Sequence, residues 1–192
     1  MPISQGADPR GNERLTAMTG TVLLVLFTAE CLTLLNLGGY LTVHVFLGML
    51  LLGPVSLKIG STLWRFTRYY TRSEPYVRKG TPTPLQRVTG PLVILTTLAV
   101  LGTGVALVIE GPQDGQWHHL HREAFLIWLP VIVIHVLSHV AELPRLLSSR
   151  PADRARELLA ARVTRWLLLS GSLVAGLVLA LLTYHLAYGF GG

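Results

Sequence analysis

Two pairs of metal- or proton-binding side chains recur at one spacing in this sequence. Lys58 follows His44, and His135 follows His121, each by 14 residues. On an α-helix 14 residues advance about 21 Å and turn to within roughly 40° of four full turns. The members of each pair therefore share a helix face and lie at opposite depths of a membrane. In a helical bundle, facing helices can each supply one axial ligand to a flat iron macrocycle, a haem. Two histidines 14 apart on one helix can serve two stacked haems. One segment carries both, His121 and His135; the other carries His44, with Lys58 where a second histidine would stand. Glu30, His139 and His185 are further ionisable groups within apolar runs, where such groups are costly and usually face the bundle interior.

That chemistry needs elements that cross a membrane, and the composition provides them. Of 192 residues, 51% are apolar and 14% charged, and mean hydropathy is +0.51. A soluble domain usually carries about 25% charge. The same numbers exclude intrinsic disorder, and the single Cys31 excludes a disulfide scaffold and reads as a small buried apolar residue. Five apolar runs, about 18–37, 41–63, 89–109, 123–141 and 166–187, are long enough to cross roughly 30 Å of hydrocarbon. None alternates as a barrel strand would. The expected fold is all-α: an integral membrane bundle of five transmembrane helices with a four-helix haem-binding core. Residues 1–17 read as a cytoplasmic N-terminal segment and 18–192 as a single membrane domain. Gly38-Gly39 predicts a tight turn that makes the first two spans an antiparallel hairpin, and Pro130 predicts a kink in the fourth. The segment 71–87, with three prolines and a glycine, reads as turns.

The basic residues orient the bundle. Arg10 and Arg14 precede the first span. Arg65, Arg68, Arg72, Arg78, Lys79 and Arg87 lie between the second and third, and Arg145, Arg150, Arg154, Arg156, Arg162 and Arg165 between the fourth and fifth. These fourteen of 16 basic residues fall on one side, which is therefore cytoplasmic. The other side has Arg122 among Glu110, Asp114 and Glu123, and Lys58 lies inside the second span. The N-terminus is inside, the C-terminus outside, and the first span is retained, without a cleavage site. The formal charge of +6 is thus explained by orientation and anionic headgroups, with no role for nucleic acid. This topology places His44 about one turn below the outer surface and His121 at a similar level, where the two can face each other.

The stretches HVFLGMLLLGPVSLKIGS (44–61), WRFTRYYTRSEPYVRKG (64–80) and HREAFLIWLPVIVIHVLSH (121–139) carry a family resemblance. The chain resembles the membrane cytochrome b families: the bacterial b561-type cytochromes and the haem b subunits of respiratory oxidoreductases. It looks most like an actinobacterial branch with a small four- or five-span core. The resemblance covers about 41–141, half of the chain. It implies one or two haem b groups with bis-histidine ligation and electron transfer across or within a bacterial plasma membrane. Electrons would pass between quinone and a partner redox subunit, or within a homodimer. It assigns His44 with His121 to an outer haem and His135 to an inner one. Lys58 departs from the pattern at the inner site. A neutral Lys amine can ligate iron, and it can equally pair with a haem propionate or a carboxylate.

Each residue also has a plainer reading. His44 can be an interfacial histidine bonded to a loop, although Gly48 one turn below would let a macrocycle approach the backbone. His118 and His119 compete with His121 as ligand, and all three can be solvated. His139 reads as a helix-end or quinone-site histidine, and Lys58 can snorkel to the inner interface. His185 lies among the tyrosines of an interfacial belt, and Glu30 must find a donor. Arg65, Arg68, Tyr69, Tyr70 and Arg72 read as headgroup contacts or as a cradle for haem propionates or a quinone headgroup. The chain has no CxxCH, no clustered cysteines and no GxGxxG after a strand, so alone it is not a complete oxidoreductase for a soluble substrate. Two other readings stand beside the cytochrome: a His-box di-iron oxidase, and a non-redox assembly factor or small transporter without haem.

Overall fold

The computed structural model describes residues 9–72, 84–111, 115–140 and 159–190. Arg78, Lys79, Asp114, Arg145, Arg150, Arg154 and Arg156 lie outside the described residues. Five α-helices follow one another: α1 (Pro9–Thr33), α2 (Leu37–Tyr70), α3 (Pro84–Glu110), α4 (Gly115–Val140) and α5 (Leu159–Thr183). Short 3-10 turns cover Leu34–Asn36 and Tyr184–Phe190, and there is no strand among the described residues.

Four stretches are long and apolar enough to cross a membrane: Arg14–Tyr70, Leu85–Glu110, Gly115–His139 and Arg162–Phe190. At most 17% of any of these apolar windows is buried within the protein. Their outward faces carry large apolar side chains such as Leu95, Ile109, Leu137 and Leu182, all more than half exposed. Such a surface suits lipid, and the chain has the make-up of a multi-pass membrane protein. The hydroxyls along the helices back-bond to their own turns, Thr28 to the Leu24 carbonyl at 2.7 Å and Thr183 to Leu179 at 2.7 Å, as apolar surroundings demand.

The chain divides into two units, α1 with α2 and α5, and α3 with α4. In the first, α1 and α2 run antiparallel: Thr16 meets Lys58 and Ser61 near one end, and Thr33 meets His44 near the other. The reversal runs from the Leu34–Asn36 turn to a break at Tyr40, whose φ of −116° and ψ of 16° are not helical, and the expected Gly38-Gly39 turn lies within it. Asn36 caps the short helical piece ahead of that break, its Oδ1 accepting from the Gly39 amide at 3.2 Å. A Cβ at Gly39 would lie 2.8 Å from the Asn36 side chain, so glycine is what permits the cap. α1 also begins well before residue 18. Asn12 donates to the Ser61 carbonyl at 3.1 Å, and this polar contact with α2 holds the added turns.

α2 crosses α5 at backbone contact. A side chain at Gly53 would collide with the Ser172 carbonyl, and one at Gly176 with the Leu50 carbonyl. Pro54 has no N–H to give to Leu50, four residues before it, so the proline leaves that carbonyl facing the Gly176 backbone. Ser172, Gly176 and Ala180 form the small-residue stripe that lets the helices approach.

In the second unit α3 and α4 form an antiparallel pair: Trp128, 3% exposed, donates its indole N–H to Thr97 Oγ1 at 2.9 Å. Gly111 ends α3 with φ +83°, its amide bonded to the Leu107 carbonyl at 3.0 Å. Pro84 starts α3, so Pro84–Arg87 is helical and not part of a turn region. α4 starts at Gly115, ahead of the expected 123, and runs on through Pro130 as one helix.

Candidate functional site

Seven-residue steps organise the α1–α2 seam. His44, Leu51 and Lys58 face α1, as their spacing predicts, and opposite them stand Glu30, Leu23 and Thr16. Leu51 is wholly buried and Leu23 nearly so. Apolar packing thus separates a His–Glu cluster at one end of the seam from a lysine cluster at the other.

At the first cluster, His44 Nδ1 lies 2.9 Å from Thr33 Oγ1 and 3.2 Å from Glu30 Oε1. The Thr33 hydroxyl hydrogen is already given to the Glu30 carbonyl, at 2.6 Å. Thr33 Oγ1 therefore accepts from His44, so Nδ1 carries the hydrogen and Nε2 is the nitrogen with the lone pair. Gly48 lies beside this cluster. A Cβ there would sit 3.4 Å from Glu30 Oε1, at ordinary contact distance, so the glycine borders the His–Glu cluster.

At the second cluster, Lys58 Nζ donates to the Thr16 carbonyl at 2.7 Å, with its amine in the notch left by Gly20, 3.1 Å from where a Cβ would be. Ser61 Oγ returns to the Lys58 carbonyl at 3.0 Å. The lysine thus reaches across to α1 and satisfies its charge against a backbone carbonyl.

The α3–α4 pair repeats the first device. His121 Nδ1 lies 3.0 Å from the Val100 carbonyl and 3.3 Å from Thr103 Oγ1. A carbonyl only accepts, so His121 also holds its hydrogen on Nδ1 and its lone pair on Nε2. Its ring fills the notch of Gly104, 3.0 Å from where a Cβ would lie. Within the run His118-His119-Leu120-His121 the geometry distinguishes the candidates: His118 and His119 are exposed, while His121 is half-buried against α3. Seven residues on, Trp128 buries itself against Thr97. Seven further, His135 stacks on His139 with ring centroids 4.5 Å apart, and His139 Nδ1 donates to the His135 carbonyl at 3.0 Å.

His44 and Lys58 belong to the first unit, and His121 and His135 to the second. Arg65 and Arg68 are at the far end of α2, half-buried. The Arg68 guanidinium lies over the Trp64 ring, 4.9 Å from its centroid. These arginines follow His44 by 21 and 24 residues, about 31 and 36 Å along the helix at 1.5 Å per residue. They are too far to hold the propionates of a haem bound by His44. His185 is exposed in the final 3-10 turn. Among the described residues no three of His, Cys, Asp and Glu converge on a point.

Of the residues that brace the histidines, Glu30 was expected to find a donor and meets His44, while Thr33, Val100 and Thr103, like Trp128, carried no expectation from the sequence. One signal was available: Glu30, Leu23 and Thr16 mirror the seven-residue steps of His44, Leu51 and Lys58, and Trp128 is midway between His121 and His135. No family model, no curated protein and no solved structure matches the chain.

Proposed function

We propose that this chain is a multi-pass membrane cytochrome of b type that relays electrons, with His44 and His121 as haem-ligating residues. What supports the reading is the shared tautomer: each histidine gives its Nδ1 hydrogen to acceptors on the neighbouring helix. Metal-ligating histidines almost always donate their other ring N–H in this way, which fixes the ring and makes the ligating nitrogen more basic. Haem b, when bound, supplies a one-electron iron couple. The protein's part is to present Nε2 of His44 and of His121, to hold both rings against rotation and to surround the site with apolar helices that keep water out.

Lys58 takes no part in ligation in this account, because its amine is engaged with Thr16. His135 is accordingly given no second haem in this proposal. Arg65 and Arg68 serve the cytoplasmic headgroup region, where anionic lipid or a quinone headgroup meets the guanidinium over Trp64. Arg14–Tyr70, at 57 residues, is far longer than one crossing needs and folds back on itself. We count it as two crossings, which makes five in all, with the N-terminus cytoplasmic, the C-terminus outside and the chain in a bacterial plasma membrane. Electrons pass between quinone and a partner oxidoreductase subunit or a second copy of the chain.

The test is the absorbance of the purified protein. The proposal expects a reduced-minus-oxidised α-band and a pyridine haemochrome, both lost in His44→Ala and in His121→Ala and retained in His135→Ala. Absence of the band from the wild-type protein overturns it. The Glu30–His44 contact favours a second reading, since a carboxylate–imidazole pair inside a span also suits a non-redox carrier or assembly factor. That reading predicts a colourless protein.

A further inference from the structure

We propose that Arg68 and Arg162, at one end of the first unit, form a site for one anionic phospholipid, with its phosphate on the two guanidinium groups and an acyl chain along α5. The proposal rests on the headgroup reading of Arg68 above and needs no haem. The last turns of α2 (58–70) and the first of α5 (159–170) carry five basic residues, Lys58, Arg65, Arg68, Arg162 and Arg165, and no acidic one. The close crossing brings these ends together. α2 and α5 belong to one unit and run antiparallel, with Leu50 and Gly53 against Gly176 and Ser172. Arg68 follows Leu50 by 18 residues, about five full turns, and Trp64 follows Gly53 by 11, about three, so both lie on the face of α2 turned to α5. Arg162 precedes Gly176 by 14 residues and lies within roughly 40° of its face. Measured from the Leu50–Gly176 contact, Arg68 is about 27 Å and Arg162 about 21 Å along the helix axes, a difference in level that two long side chains span.

Each half of the site has a place for its part of the lipid. The Arg68 guanidinium is held over the Trp64 ring, and its Nε is buried with no hydrogen-bond partner among the described residues. A buried donor on a cation calls for an acceptor, and a phosphate takes the planar guanidinium fork with two oxygens at once. Arg162 borders a cavity of about 350 Å³ whose other walls are Val163, Trp166, Leu167 and Ser170. Charge at one end and apolar walls beyond it are the polarity of a phospholipid, headgroup first and chain after. Trp64 and Trp166 are both more than half exposed, as indoles are at the level between headgroups and hydrocarbon. A soluble anion would match the guanidinium groups and leave the apolar cavity unused. A zwitterionic lipid would fill the cavity but offset its phosphate with its own ammonium. An anionic phospholipid matches both.

The experiment titrates the full-length chain in neutral detergent with short-chain phosphatidylglycerol, counts bound lipid by native mass spectrometry, and repeats the titration with phosphatidylcholine of the same chains. The proposal expects one phosphatidylglycerol per chain at saturation and much weaker phosphatidylcholine. Arg68→Gln and Arg162→Gln should each weaken binding about tenfold, the loss of one charge-assisted hydrogen bond. Arg72→Gln, which removes an exposed charge just beyond α2, should leave it nearly unchanged. Ser170→Phe puts a ring into the cavity and should weaken binding with every charge kept. If Arg68→Gln fails to fold, Arg68→Lys carries the test, since it keeps the charge without the fork and should still bind more weakly. Binding that never saturates, or that falls equally in Arg72→Gln and Arg68→Gln, overturns the inference, because the arginines then act only as diffuse charge. Displacement of the lipid by inorganic phosphate overturns it in favour of a soluble anion. A colourless protein that binds the lipid as expected overturns the cytochrome reading and leaves this inference standing.

Discussion

Thr33 and Thr103 do the same work in different helices. Each sits one turn from a carbonyl of its own helix and spends its hydroxyl hydrogen there, Thr33 on Glu30 at 2.6 Å and Thr103 on Ala99 at 2.7 Å. Each is left able only to accept, and a histidine from the next helix donates to it. The space for two of these polar groups comes from glycines: Gly20 beside Lys58 and Gly104 beside His121. Gly104→Ala is therefore a sharp probe, because a Cβ 3.0 Å from the His121 ring must displace it. The account expects haem to be lost or its α-band shifted, while Gly102→Ala, with open space around it, changes neither. Lys58→Met tests the opposite claim. Its amine binds Thr16 and not iron, so the α-band should persist unchanged, and a lost or shifted band would return Lys58 to the ligand set. The shared face of His44 and Lys58 was legible in a spacing of 14. What that face meets was not, because the register of α1 against α2 depends on where the chain reverses. The reversal itself combines the Asn36 cap with the glycine pair and the break at Tyr40.

At the scale of the helices, two different devices hold the units together. α2 and α5 approach until backbone meets backbone at Gly53, Ser172 and Gly176, where even a methyl group would collide. Gly176→Leu should lower stability by at least about 2 kcal/mol, the range for overpacking a tight contact, read as a fall in the thermal midpoint in detergent. An unchanged midpoint would remove the close crossing from the account. α3 and α4 are joined instead by side chains, with Trp128 bonded to Thr97. Trp128→Phe keeps most of the ring but loses that bond, and should cost about 1 kcal/mol. The five helical runs were legible because unbroken apolar stretches of such length have no other solution in lipid. Their ends were not. α1 extends to Pro9 and α4 to Gly115 through polar turns that hydropathy alone discounts. Pro130 shows the converse, a residue expected to disturb a helix that the helix carries without a break.

For the molecule as a whole, the account turns on how many times Arg14–Tyr70 crosses the membrane. Leu35, 83% exposed in the 3-10 turn, should mark the outer surface if the segment is a hairpin. In a Cys31→Ser background, Leu35→Cys should react with a membrane-impermeant maleimide in intact cells. Arg72→Cys should react only in inverted vesicles. The reverse pattern would invert the topology and place His44 near the cytoplasm. The basic residues of the described helix ends, among them Arg65, Arg68, Arg72 and Arg162, then account for the pI near 10 as a marker of one membrane face. Lys58 is the exception, a charge within a span that finds a carbonyl in place of water.

The proposed cytochrome rests on His44 and His121 as haem ligands, and haem stoichiometry with the reduced-minus-oxidised spectrum tests it most directly. The account predicts one haem b per chain, lost when either histidine becomes alanine. A colourless protein would contradict it, and two haems per chain would contradict the assignment of Lys58.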